Sequence, residues 1–417
     1  MTKKRLVLTA GAVVGLLLGV AACASSPAGG DGGTVKVGAI LSLSGVNSTL
    51  GAPEQKSIQM GVEALNAQGF QVDGKTYKLE FDFADDKSDF ATTGVAALRQ
   101  MVESDNLPIV SFGLGSGVYG PALLRNPVPA INILDSTYPS ILTYSPDIFL
   151  MRGDSTTYTI GCVDWASTQL NAKSLSVINT SGEPYGEGLS QLVESQSKAA
   201  GLTVTVADAP LGTSDYGNAI ATALASKPEV VYISSVTGIV LPILKQLRQA
   251  GFTGAVMHSS GVTPEQAQTI LGANFNDMMA NNYDCAGTTP TTSSNPAAAA
   301  FGKAYQARYN EYPQDLTMWA YDLPFVMAAA MTKAGSITDR AAITQALGSI
   351  DVPSATVSGW LPSDSGTMFT DRDARTLSEI TQWCPTSQSI ATVEVFDGLG
   401  AKIGSPKITA DACTSEK

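Results

Sequence analysis

The sequence predicts an α/β protein built as two lobes, each a doubly wound parallel sheet, and three observations predict it. Short aliphatic, β-branched runs alternate with helical patterns from Thr34 to about Asp154. The same alternation restarts near Thr156 and continues to Met257. A chain of 417 residues, 44% of them hydrophobic, is long enough for two domains of ordinary size. Strand and helix in alternation imply right-handed crossovers and parallel pairing, and two successive runs imply two lobes.

The amino terminus reads differently. Lys3, Lys4 and Arg5 precede an apolar run from Leu6 to Val20, with small residues directly before Cys23. This is the layout of an export signal over residues 1–22. Val20-Ala21-Ala22-Cys23 resembles a bacterial lipobox, which implies that Cys23 becomes the lipidated first residue. Residues 23–33, rich in Ser, Gly and Ala, read as a tether. The expected location is extracytoplasmic, on the outer face of the cell membrane. Loss of residues 1–22 removes three positive charges and no negative ones, taking the formal charge from −12 to −15. An acidic body of this kind excludes nucleic acid and anionic membrane surfaces as partners.

The element that organises the remainder is the first βα unit. Residues 35–41 suit a strand buried on both faces. Ile58, Met60, Val62 and Leu65, ending at Gly69, suit a helix. Between them Ser42, Ser44, Gly45, Asn47, Ser48 and Thr49 place hydroxyls and free amides at a strand's carboxyl end, where open α/β sheets bind ligands. Further strands are expected at 78–83, 107–112 and 128–134, with helices at 90–104 and 119–125. In the second run, helices at 156–170, 186–200, 216–225 and 239–250 alternate with strands at 174–179, 203–207, 229–233 and 254–257. Beyond a Thr/Pro/Ser-rich loop at 288–296 come helices at 297–309, 318–334 and 339–347 and a strand at 391–396.

Signals for catalysis are weak. His258 is the single histidine, and no G-x-S-x-G or Walker loop occurs. Asp85-Asp86 reads as a strand-end cap, because adjacent strand residues face opposite ways. Gly115-Ser116-Gly117-Val118-Tyr119-Gly120 fits a dinucleotide-binding fingerprint, with Asp135 about 20 residues later. It stands in the third βα unit of an exported chain, so a glycine-rich cleft loop is the preferred reading and an NAD(P)-linked enzyme an alternative. Cys162, Cys285, Cys384 and Cys413 lack C-x-x-C spacing, which argues against zinc and for two disulfides. Three pairings exist; Cys162 with Cys285 and Cys384 with Cys413 is preferred, with buried thiols as the alternative.

Several stretches, in order along most of the chain, resemble the bacterial solute-binding proteins of the leucine/isoleucine/valine-binding type that serve ABC importers. They are Val35-Lys36-Val37-Gly38 with Leu43-Ser44-Gly45, Gly74-Lys75 before a strand ending in Asp85-Asp86, and Pro184-Tyr185-Gly186-Glu187-Gly188. Asp215-Tyr216, Pro228-Glu229-Val230-Val231-Tyr232 and Ala320-Tyr321-Asp322 complete the set. The resemblance implies a type I periplasmic-binding fold, two lobes on a three-strand hinge that close on ligand. Lobe 1 is then 34–154 plus 287–375, and lobe 2 is 155–286 plus 376–410. It further implies a monomeric receptor without a cofactor, not an enzyme, whose partners are a small solute and ABC permease subunits. A ligand sensor for a membrane signalling partner is the alternative of another class.

The family's ligand residues carry over in part. The carboxylate-binding strand end resembles Asp135-Ser136-Thr137-Tyr138-Pro139, the preceding site resembles Gly115-Ser116-Gly117, and Tyr185 matches the closing ring. Ser44 lies on the first wall. Positions that hold an α-ammonium group in the family align with Val236 and Ser260, which cannot pair with a buried cation. The expected ligand is therefore a non-amino organic acid or an amide, with Tyr138, Tyr185 and Trp319 as walls and Asp135 as a substitute ammonium partner. A branched-chain amino-acid receptor is the alternative.

Overall fold

The computed structural model describes residues 30–136, 141–285, 290, 293, 295–397 and 413. Six strands lead the chain: β1 (Gly30–Leu41), β2 (Phe70–Val72), β3 (Lys75–Asp85), β4 (Val110–Phe112), β5 (Ala130–Asn132) and β6 (Ile148–Leu150). Five follow: β7 (Ser174–Ser181), β8 (Thr203–Pro210), β9 (Val230–Ser234), β10 (Ala255–His258) and β11 (Asn282–Asp284). The last four are β12 (Phe369–Thr370), β13 (Asp373–Ala374), β14 (Ser378–Cys384) and β15 (Ser389–Phe396). They form two sheets, ordered β12-β13-β6-β5-β4-β1-β3-β2 and β15-β14-β11-β10-β9-β7-β8.

The first strand of each sheet lies in its interior. β1 pairs in parallel with β3 on one side and β4 on the other, and β7 does the same with β8 and β9. Successive crossovers therefore leave in opposite directions beside β1 and beside β7, which opens a crevice at the carboxyl ends of both sheets. Val37, Ala39, Ile40 and Leu41 are all buried, as a strand covered on both faces requires. Helix Leu316–Ala334 buries Trp319, Leu323, Val326 and Met331 in the core that covers this sheet. Alongside it, helix Ser48–Asn66 comes so close that a Cβ on Gly61 would stand 2.1 Å from the Tyr321 carbonyl oxygen.

Several elements depart from the sequence expectation. Helix Ser48–Asn66 starts ten residues before Ile58, through Gly51 and Pro53. Pro53 removes the amide that would bond the Thr49 carbonyl, and Gln314 Nε2 donates to that carbonyl at 3.3 Å instead. β1 begins at Gly30, four residues inside the presumed tether, because Gly30, Asp31 and Gly33 pair with Lys75, Thr76 and Tyr77. Residues 90–104 wind as a short α-helical piece flanked by two π-type turns. β6, β11 and helix Pro264–Leu271 carry too little periodicity to be read in advance, although Thr263 and Gln266 close a capping box on that helix.

The chain crosses between the sheets after β6, after β11 and after β13. The first and third crossings run together, Thr376 Oγ1 donating to the Arg152 carbonyl at 3.2 Å, and Trp360 Nε1, from the segment before β12, donates to the Met151 carbonyl at 2.8 Å. Disulfides join Cys162 to Cys285 and Cys384 to Cys413. No helix among the described residues is long and apolar enough to cross a membrane.

Asp322 shows what the Ala320-Tyr321-Asp322 run does. It is fully buried, and its two oxygens accept the Val357 and Ser358 amides at 2.8 Å each. Burial pushes its carboxyl up to about 7, against those bonds. The folded form holds the proton more tightly, so the Asp322 contribution to stability falls as pH rises from about 4 to 7 and is level above. In urea titrations Asp322→Ala is expected to cost about 2–4 kcal/mol by stranding two buried amides, and Asp322→Asn to flatten that pH slope.

Candidate ligand-binding cleft

The crevices of the two sheets face each other, and the local backbone of each is already saturated by carboxylates. After β1, the Leu43 and Ser44 amides donate to Asp85 Oδ1 at 3.0 and 3.1 Å, and Ser44 Oγ to Oδ2 at 2.6 Å. The Ser44 amide, read from sequence as free for a ligand, is thus occupied, with Asp85 as the strand-end cap. After β4, Gly115 takes φ +89° to open helix Ser116–Leu123, and the Ser116 amide donates to Asp135 at 3.2 Å. In the second lobe Glu183 accepts the Tyr185 and Gly186 amides at 3.0 and 2.6 Å and caps helix Pro184–Ala199. Burial pushes the Glu183 carboxyl up; the two amides oppose this, and Asp135 across the cleft adds to it. The Pro184-Tyr185-Gly186 run is needed here, since a Cβ on Gly186 would lie 2.7 Å from the Ser234 carbonyl oxygen.

At the floor, on the first crossing, lies Arg152, whose side chain is 8% exposed. Its guanidinium sits 5.0 Å from the Tyr158 ring and 5.2 Å from the Trp319 ring, one from each lobe. Its Nη1 donates to the Leu134 carbonyl at 3.3 Å, and Nη2 stands 3.7 Å from Asp315 Oδ2. Burial works against this charge, but Tyr158, Tyr185, Asp315 and Asp284 outweigh it and hold the guanidinium above its ordinary value. Asp315 is pushed up to about 6 by burial, with Arg152 opposing and Asp284 reinforcing. The lobes meet there: a Cβ on Gly261, at φ +59°, would stand 2.5 Å from Asp315 Oδ1. Asp284 holds that loop through the Ser260 and Val262 amides at 3.3 and 3.0 Å.

Hydroxyls bridge the lobes beside Arg152. Ser136 Oγ lies 2.9 Å from the Tyr158 hydroxyl, which lies 3.1 Å from that of Tyr185; the Tyr185 hydroxyl donates to the Ser259 carbonyl at 2.6 Å. Ser136, Tyr185 and Trp319 are therefore gathered around Arg152. Ser116 and Asp135 form a wall of the first lobe, and Ser44 is exposed. Val236 precedes helix Thr237–Gln249, and Ser260 Oγ donates to the Ser235 carbonyl at 2.9 Å. Thr137, Tyr138 and Cys23 lie outside the described residues. Arg152, Tyr158, Asp284 and Asp315 escaped the sequence reading. The available signal was a lone Arg ending the apolar run 148–151, and an Asp directly after the β-run tyrosine Tyr283. Beside Ser260 stands the Asp284 carboxylate, a neighbour in space and not in sequence, which accepts the Ser260 amide.

The dinucleotide fingerprint resolves into packing. The first amide of its helix is taken by Asp135, and Gly120 is required because a Cβ there would lie 2.4 Å from Tyr144 Cβ.

This geometry, two doubly wound lobes on three crossings with a polar cleft between, defines a hinged solute-binding protein. A family model described as periplasmic binding protein matches residues 34–377, and the chain belongs to that family. It is a family of binding proteins with a type I fold, not of enzymes. A Leu/Ile/Val-binding protein homolog from Brucella melitensis is 26% identical over 325 residues, covering 75% of this chain and 83% of the relative. A leucine-binding protein from Thermotoga maritima superposes with TM-score 0.73 at 22% identity, covering 87% of this chain and 99% of its own. An R. palustris solute-binding protein in complex with 4-hydroxybenzoate gives TM-score 0.72 at 18% identity, covering 87% and 97%.

Removing one member of the central pair strands the other in a dry site. Arg152→Ala is expected to cost about 3–5 kcal/mol, and Arg152→Ala with Asp315→Ala less than the sum of the single changes. A double-mutant cycle by denaturant unfolding checks this.

Proposed function

We propose that this chain is the lipid-anchored, extracytoplasmic receptor of an ABC importer, and that it holds a small α-amino acid between its lobes. The observation that carries the ligand class is the Arg152–Asp315 pair on the cleft floor, with Asp284 beside it. A bound zwitterion replaces each partner: its carboxylate takes Arg152 and its ammonium takes Asp315 and Asp284, so no buried charge is left alone. Asp135, Glu183, Asp284 and Asp315 outnumber the one arginine, which disfavours a ligand that is only anionic. This reverses the expectation of a non-amino acid, which rested on Val236 and Ser260. The name of the Brucella relative and that of the Thermotoga neighbour accord with it.

One observation favours an aromatic acid instead. Trp319 Nε1 is buried without a hydrogen-bond partner, and flat rings already flank Arg152. A ring carrying a carboxylate would use both, and a neighbour of the same fold binds 4-hydroxybenzoate. In either case the ligand bridges the lobes, and the closed form is the one that docks on the permease, because its surface differs from the open form. Cys23 supplies the anchor.

Thermal unfolding of residues 24–417 with L-leucine, L-isoleucine, their 2-oxo acids and 4-hydroxybenzoate separates the readings. An amino acid at about 100 times its Kd is expected to stabilise the protein by roughly 2.7 kcal/mol. Arg152→Ala and Asp315→Asn should abolish that shift. A response to 4-hydroxybenzoate or the 2-oxo acids alone would overturn the amino-acid reading. For the anchor, Cys23→Ala is expected to end incorporation of labelled fatty acid in cells and release the protein from the membrane fraction.

A further inference from the structure

Glu54 is a buried acid with no counter-ion among the described residues, and it underlies the first wall of the cleft. It sits on the second turn of helix Ser48–Asn66, 2% exposed. A Cβ on Gly113 would stand 2.7 and 2.8 Å from its two carboxyl oxygens, so the carboxyl lies directly against this glycine. Oε1 is buried, and no hydrogen-bond donor among the described residues reaches it. The charged group that acts on it among the described residues is Asp86, from the turn after β3, and it is of like sign. Asp86 is itself buried and held: it accepts Ser42 Oγ and the Ser88 amide at 2.7 Å each, and the Tyr119 hydroxyl at 3.5 Å.

Gly113 transmits the state of Glu54 to the cleft. Its carbonyl accepts Asn132 Nδ2 at 3.0 Å and the Asp135 amide at 2.9 Å. Asn132 Nδ2 also reaches Ser116 Oγ at 3.0 Å, and the Ser116 amide returns to Asp135. Movement of Gly113 therefore moves both residues of that wall. An ionised carboxylate pressed against Gly113, beside Asp86 and without a donor, has to admit water or displace the turn.

We propose that Glu54 is a positioning residue of the cleft: its carboxyl must carry a proton for the Gly113–Ser116 turn to hold Ser116 and Asp135 in place, and the wall loosens when that proton leaves. Burial and the Asp86 charge push this carboxyl up to about 8, which sets the pH by which the loosening is complete. Solute binding then weakens as pH rises towards 8, a consequence that rests on the cleft reading above; the loosening itself does not.

Amide hydrogen exchange of the peptide spanning 113–118, corrected for intrinsic rates, tests the proposal without a ligand. In the wild-type chain exchange is expected to quicken by up to about tenfold per pH unit as pH rises towards 8 and to level off above it, the limb that a single ionisation gives below its folded value. Glu54→Gln should show no such rise. Asp86→Asn, which removes the like charge, should move the levelling-off to lower pH. An identical pH profile in Glu54→Gln, or an unmoved levelling-off in Asp86→Asn, overturns the proposal. With L-leucine as probe, wild-type affinity should fall in the same pH range and Glu54→Gln affinity should not. If no probe binds, the cleft reading fails while the exchange result still decides the role of Glu54.

Discussion

The guanidinium of Arg152 lies out of water where the first crossing meets both lobes, and a buried charge holds its place only when its surroundings answer it. The answers come from separate parts of the chain. Trp319 and Asp315 stand on or just before a helix of the first lobe, Tyr158 on a helix of the second, and the Leu134 carbonyl beside β5. The relative position of the lobes is thereby tied to the electrostatic state of one side chain. A ligand that supplies charges of its own at this point changes that state directly, which is what a hinged receptor needs to couple binding to closure.

The acidity of the cleft has a structural origin. Doubly wound sheets present strand ends and helix starts rich in free amides, which makes them ready anion sites. Here Asp85, Asp135 and Glu183 fill three of those positions from within the chain. The backbone donors that would otherwise draw a carboxylate are spent on stabilising the walls, and the buried charge is concentrated at Arg152 and the aspartates around it.

Much of the architecture was legible along the chain. Parallel pairing, two lobes and the order of most elements followed from local periodicity, because strands covered on both faces must be continuously apolar and their crossover helices must be amphipathic. The capping role of Asp85 followed from local geometry as well, whereas the Gly115–Gly120 run, read as a cleft loop, turned out to serve packing against Tyr144. Boundaries failed where a partner remote in sequence repaired a local fault, as Gln314 does for the Thr49 carbonyl beneath Pro53, or where an edge was borrowed, as Gly30 and Asp31 do from β3.

The sequence by itself determined the class of fold and the location of the crevices at strand ends, since each of these depends on neighbours a few positions away, whereas Ser116, Ser136 and Tyr185 are cleft candidates only through the family resemblance. Only the tertiary structure decided the charge of the cleft. Arg152, Asp284 and Asp315 belong to segments more than a hundred residues apart at their extremes, and each alone reads as an ordinary polar residue at the end of a strand or the start of a helix. They acquire meaning when the three crossings bring them into one water-poor space, because Coulomb interaction depends on distance and burial, and neither is a property of the linear chain.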